Sequence, residues 1–172
     1  MREKVTIEKG TVQETLMLPL FGRYKANQMY PGLFRDTAAK KIIDSIDYNI
    51  EQANMGKGPQ FVYGMRQDIS ERVAKRFLAE HPDGIIINLG CGLDTVFDLI
   101  DNGKCRFVNI DFPEVIEFRC KLFGEREREI NLGADANDHS WMENAGYNPG
   151  DGVFIMSCGV LFYFQPEDVK RL

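Results

Sequence analysis

Apolar positions change their period near residue 83. Before that point they recur at helical spacing. Leu33, Phe34, Ala38, Ile42, Ile43 and Ile46 form one stripe, and this spacing predicts a helix over Leu33–Ile46. Gly56–Pro59 reads as a break. Ile69, Val73 and Phe77, flanked by Ala74 and Leu78, predict a helix over Arg66–Ala79. Asp68 and Glu71 resemble a capping box for it, and His81-Pro82 stops it. After Asp83-Gly84, Ile85–Leu89 is one continuous apolar run, the pattern of a strand buried on both faces. Gly90-Cys91-Gly92 follows, then a short helix over Asp94–Ile100 and a strand over Arg106–Ile110 that ends at Asp111. Pro113 opens and Gly124 closes a helix over Glu114–Phe123. A short strand at Glu129–Leu132, a helical segment at Ser140–Ala145, a turn from Pro149 to Gly152 and a strand at Val153–Ser157 come next. Pro166–Leu172 reads as the opening of another helix.

This alternation predicts an α/β fold of parallel βαβ units, a Rossmann-like sheet with helices on both faces over residues 83–172. Residues 1–82 form a leading helical segment on its cap or substrate side. Such sheets bind ligands at the carboxyl ends of their strands, near the point where strand order reverses. That rule singles out Gly90–Asp94, Asp111, Asp135 and Ser157.

Composition narrows the function classes. The 172 residues are 44% hydrophobic and 27% charged, which suits one soluble domain with a core and excludes global disorder. The formal net charge of −5 lacks the electrostatic footprint of a duplex binder, so no nucleic-acid partner is expected. The N-terminus, MREKVTIEKG, has no apolar signal-peptide core, and the run Val153–Phe164 is too short to span a membrane. Cys91, Cys105, Cys120 and Cys158 include no Cys-x-x-Cys pair, and His81 and His139 lie far apart. No metal site is expected, and free thiols fit a reducing cytoplasm.

The strand ends carry the candidate chemistry. Gly90 and Gly92 permit a tight turn and the close approach of a flat ligand. A dinucleotide fingerprint would need a third glycine where Thr95 stands, and Asp94 opposes a pyrophosphate, so a nicotinamide-dependent oxidoreductase is disfavoured. Asp94 has a second reading as the cap of the helix that follows. Asp111 can accept both hydroxyls of an adenosine ribose or can cap the helix at Pro113. Arg66, at the start of its predicted helix, opposes the macrodipole there and can hold a ligand carboxylate by a bidentate contact.

Taken together and in order, several segments resemble the leucine carboxyl methyltransferase family, including its tetracenomycin-type polyketide O-methyltransferases. They are Pro19–Arg23, Phe34–Asp36 with Ile46–Tyr48, Met65-Arg66, Asn88–Thr95, Asp111–Pro113, Gly133–Asp135 and Gly159–Tyr163. The resemblance implies S-adenosyl-L-methionine as cofactor and a class I methyltransferase fold. It places Arg66 on the cofactor's carboxylate, with Gly90, Cys91, Gly92 and Asp94 along its methionine part. Asp111 and Phe112 would meet the ribose, and Asp135 with Ala136 the adenine. Tyr163 and Arg23 would face the acceptor as catalytic residues, with Lys25 competing with Arg23. Protein carboxyl methyltransferases carry glutamate where this chain has Ser157, which disfavours a protein leucine substrate. Ser157 can still donate a hydrogen bond to the cofactor.

The implied function is an S-adenosylmethionine-dependent O-methyltransfer to a small-molecule, polyketide-like carboxylate or hydroxyl. No histidine stands at the expected base position, which favours a carboxylate acceptor, already ionised at neutral pH. The family's sheet continues past Tyr163, so a C-terminally truncated core is expected. Its open edge at Val153–Ser157 would pair with a second copy. The alternative is a truncated, non-catalytic fold that binds an adenosyl ligand or a partner.

Overall fold

The computed structural model describes residues 4–7, 10–49, 55–148 and 150–172. In the leading segment, β1 (Val5–Thr6) pairs in parallel with β2 (Ile46–Asp47). Between them lie α1 (Val12–Met29) and α2 (Thr37–Asp44), and after them comes α3 (Lys57–Glu80). Asp36 caps α2 by accepting from the Ala39 N–H at 3.0 Å. Helix α1 carries Pro19 in its interior and crosses α3 closely. A Cβ on Gly64 would fall 2.6 Å from the Ala26 Cβ, so the crossing requires glycine there.

Helix α3 corrects the reading of this region. Gly56 is its N-cap and Pro59 sits in its first turn, where a missing N–H has no intrahelical partner to lose. The expected break is therefore the helix start. Arg66 lies mid-helix, so its expected conflict with the helix dipole does not arise. Asp68 and Glu71 form no capping box. They pair along the helix with Arg72 at 2.8 Å and Lys75 at 2.6 Å.

The second part alternates as the apolar pattern predicts. Its elements are β3 (Ile85–Leu89), α4 (Val96–Ile100), β4 (Arg106–Asp111), α5 (Pro113–Phe123), β5 (Glu129–Gly133), α6 (Trp141–Asn144), β6 (Val153–Met156) and α7 (Pro166–Val169). A 3-10 turn, Leu161–Tyr163, lies between the last two. The order is β5-β4-β3-β6, all parallel, so the direction of winding reverses between β3 and β6. Pro149, part of the expected turn before β6, lies outside the described residues.

Alternate strand residues feed two cores, one on each face. Ile86, Phe107 and Met156 pack under α3 and α4 with Ala74, Leu78, Val96 and Phe97. Ile85, Ile87, Val108 and Ile110 pack on the other face with Trp141. A third cluster joins Met17, Leu20 and Ile42 to Leu93 and Phe118, fastening the leading helices to the sheet part. Among the described residues no helix is long and apolar enough to cross a membrane.

Candidate functional site

The carboxyl ends of the four sheet strands form one row. After β3 the chain turns through Gly90 and Gly92 at φ +66° and +47°, conformations that favour glycine. This corner lies on the end of β4, where the Gly90 and Cys91 N–H groups donate to the Ile110 carbonyl at 2.8 and 3.2 Å. Asp111 ends β4 and secures the corner, since its Oδ2 accepts from the Gly92 N–H at 2.8 Å. Its Oδ1 accepts from the Phe112 N–H at 2.8 Å. Asp111 thus stands outside the N-cap of α5, which is Phe112. Each carboxylate oxygen retains a lone pair for a ligand. Burial pushes the Asp111 carboxyl above its ordinary value, partly offset by those two N–H donors.

The next strand end is tied to the same place. Ala134 donates its N–H to the Asp111 carbonyl at 2.8 Å. Asp135 is exposed, and its Oδ1 closes a local turn on the Asn137 N–H at 2.9 Å. The Ala136 carbonyl accepts from the buried Trp141 indole at 3.0 Å, which anchors the loop. The Phe112 ring is 49% exposed beside Asp111, so a flat face stands open between these strand ends.

On the other side of β3, Ser157 follows β6. Its Oγ is buried and has no hydrogen-bond partner. Beyond it, Gly159 lies against Arg66, where a Cβ would fall 2.3 Å from Nη1. The Arg66 guanidinium also stacks 5.0 Å from the Tyr63 ring centre, and no described carboxylate pairs with it. The corner glycine has a use the sequence did not suggest. A Cβ on Gly90 would lie 2.3 Å from Val160 Cγ2, so Gly90 admits a side chain of this chain. The loop 157–160 therefore packs between Arg66 and Gly90 and brings Ser157 near both.

Other expected residues are placed differently. Arg23 is 4% exposed. Its Nε pairs with Asp36 at 2.9 Å and its Nη2 donates to the Leu93 carbonyl at 2.8 Å. Asp36 Oδ2 also accepts from Thr95, which in turn accepts from Gln67. This places Arg23 in the joint between α1, α2, α3 and the start of α4, with its guanidinium committed to Asp36 and Leu93. Tyr163 is 84% exposed on its turn. Lys25 lies over the Phe21 and Tyr24 rings. Asp94 is half-buried, desolvation raises its carboxyl, and its Oδ1 accepts from the Val96 N–H at 2.6 Å, one residue outside the Thr95 N-cap of α4. Cys91 is buried, and desolvation holds its thiol far above the ordinary range, so it is inert as a nucleophile.

Sequence reasoning missed the polar layer beneath the corner. Arg119 of α5 is fully buried against Glu129 at 2.6 Å. Its Nη1 donates to the carbonyls of Gly92 at 3.1 Å and Asp94 at 2.7 Å. Asn109 reaches Glu129 at 2.8 Å and Asn131 at 3.1 Å. The available signal was a cation on the apolar stripe of α5, between Val115, Phe118 and Leu122, opposite asparagines in otherwise apolar strands. Asn137 was also missed, and its Oδ1 is buried without a partner in the loop after β5.

These features fit an adenosyl sulfonium ligand. A half-free carboxylate and an open ring suit a nucleoside, while a guanidinium with no acidic partner among the described residues and an orphaned hydroxyl suit an amino acid end. Comparison with known proteins leads to the same ligand. The leucine carboxyl methyltransferase profile matches residues 16–172. The chain is 29% identical over 168 residues to the tetracenomycin polyketide synthesis O-methyltransferase TcmP of Streptomyces glaucescens, covering 97% of this chain and 62% of that protein. It resembles a crystal structure from Thermobifida fusca YX assigned as a methyltransferase, with TM-score 0.56, 22% identity, 90% of this chain and 60% of that one. More distantly it resembles the apo S-adenosylmethionine-dependent methyltransferase SibL, with TM-score 0.38, 17% identity, 88% of this chain and 44% of that one. The chain thus spans about three fifths of the length of TcmP and of the Thermobifida structure. By its match over most of its length, this chain belongs to the leucine carboxyl methyltransferase family, whose cofactor is S-adenosyl-L-methionine.

Proposed function

We propose that this chain carries the donor site of an S-adenosylmethionine-dependent O-methyltransferase acting on a small-molecule carboxylate or hydroxyl. The observation that carries the proposal is the row of strand ends: Asp111 bonded to Gly92 at 2.8 Å and, through its carbonyl, to Ala134 at 2.8 Å, with the unpartnered Ser157 Oγ across β3. Asp111 would accept the ribose hydroxyls, with Phe112 beside the base. Asp135 and Ala136 would border the adenine. Arg66 would hold the carboxylate end by charge-assisted bonds, and Ser157 would offer its hydroxyl nearby. The cofactor supplies an activated methyl group on a sulfonium.

The chain's own residues supply orientation, and such positioning can be worth roughly 7–11 kcal/mol of the barrier. A carboxylate acceptor, ionised near neutral pH, needs no general base, which agrees with the absence of histidine from the row. The polyketide acceptor class rests on the Streptomyces relative. A cytosolic setting agrees with four unbridged cysteines.

The experiment pairs two measurements on one preparation. Calorimetry with S-adenosylhomocysteine reads binding, and radiolabelled methyl transfer to an aromatic acid and to the corresponding phenol reads turnover. Binding with transfer to the acid supports the proposal. Transfer to the phenol alone overturns the carboxylate, and absence of binding overturns the site. A second reading is favoured by the exposure of Phe162 at 91% and Tyr163 at 84%, which leaves the acceptor side open. On that reading the chain binds the adenosyl ligand without transfer, and binding without turnover selects it.

A further inference from the structure

Arg119 makes more use of its donors than a structural counter-ion requires. The guanidinium is fully buried beneath the glycine corner, between α5 and β5. Only Nη2 meets the carboxylate of Glu129, at 2.6 Å. Nε donates to Asn131 Oδ1 at 3.0 Å. Nη1 is divided between the Gly92 carbonyl at 3.1 Å and the Asp94 carbonyl at 2.7 Å. The N–H on the other side of Gly92 is the one that Asp111 holds at 2.8 Å. Gly92, the most freely rotating residue type, is therefore gripped from both sides. The planar guanidinium also lies over the Phe123 ring, 4.2 Å from its centre, which fixes the plane of the fork.

We propose that Arg119 is a positioning residue for the adenosyl ligand, acting through Gly92 to set the orientation of the Asp111 carboxylate. This rests on the cofactor reading given above. The Gly92 and Asp94 carbonyls are committed to Arg119 and cannot turn toward the ligand, so the Asp111 carboxylate keeps one geometry. Lysine could pair with Glu129 but is a single point charge. It cannot bridge Glu129, Asn131 and two carbonyls at once. Glutamine at 129 removes the counter-charge yet leaves the carbonyl contacts in place.

The two variants separate positioning from charge balance. In the free protein, the Gly92 amide donates to a carboxylate and should resonate downfield in a nitrogen–proton correlation spectrum. Arg119→Lys should move that resonance upfield and weaken S-adenosylhomocysteine binding at least five-fold by calorimetry. Glu129→Gln should leave the resonance nearly in place and weaken binding less than two-fold, whatever its effect on melting temperature. Equal affinity losses in the two variants, or an unchanged affinity in Arg119→Lys, would overturn the proposal. An unliganded wild-type protein would instead reject the cofactor reading, and the Gly92 resonance would still decide whether Arg119 sets the corner.

Discussion

At the scale of single residues, Asp111 carries the sharpest expectation. Its carboxylate favours a ligand hydroxyl only when ionised, and burial has raised its titration above the ordinary aspartate value near about 3.9. Affinity for S-adenosylhomocysteine should therefore fall as pH is lowered through that raised value. Binding on the acid side should release a proton, seen as a calorimetric heat that depends on the buffer. Asp111→Asn should flatten the dependence, and Asp111→Ala should lose about 1.5–3 kcal/mol for each charge-assisted bond removed. The sign for stability is opposite. A carboxyl whose value is raised on folding favours the folded state below its unfolded value, and that contribution is lost as pH rises through the folded one. Gly90 makes a separate case. Alanine there would adopt φ +66° and meet Val160 Cγ2 at 2.3 Å. Gly90→Ala should cost roughly 1–3 kcal/mol in denaturant unfolding.

At the scale of elements, the joint around Asp36 decides how the leading helices sit on the sheet. One carboxylate caps α2, pairs with Arg23 of α1 and accepts from Thr95 at the start of α4. Asp36→Ala leaves the Arg23 guanidinium buried without its partner, a loss of about 3–5 kcal/mol. Chemical denaturation should show that loss, whereas Lys40→Ala, which breaks an exposed pair with Asp44, should leave the unfolding midpoint nearly unchanged. The strands were legible because fully buried parallel strands read as unbroken apolar runs, as Ile85–Leu89 does. Helix α1 was not legible as a unit, since Pro19 interrupts it and its buried face includes Gly22 and Arg23. The start of α3 was misread because glycine and proline punctuate both loops and first turns. Only the packing of α1 on α3 shows which applies.

At the scale of the whole molecule, the sheet has an open side. Ile155 is 50% and Val153 37% exposed on β6, while Phe154 and Met156 of the same strand pack under α3. An apolar edge with free backbone donors invites a further strand. Self-association should rise with concentration in light scattering, and Ile155→Lys should reduce it without lowering the melting temperature. A monomer at all concentrations would show that this edge is tolerated bare.

By itself the sequence determined the alternation of elements and which residue types stand at the strand ends. Both depend on local periodicity and on glycine and carboxylate types at turns. That was enough to name the corner, Asp111 and the family resemblance. Tertiary structure alone decided which polar groups stay open at the strand ends and which are consumed inside. Arg23 and Arg66 are the same residue type in neighbouring helices, yet one is closed in by Asp36 and Leu93 while the other has no acidic partner among the described residues. The reason is that a charge's role depends on what surrounds it after folding, and those neighbours come from parts of the chain far apart in sequence.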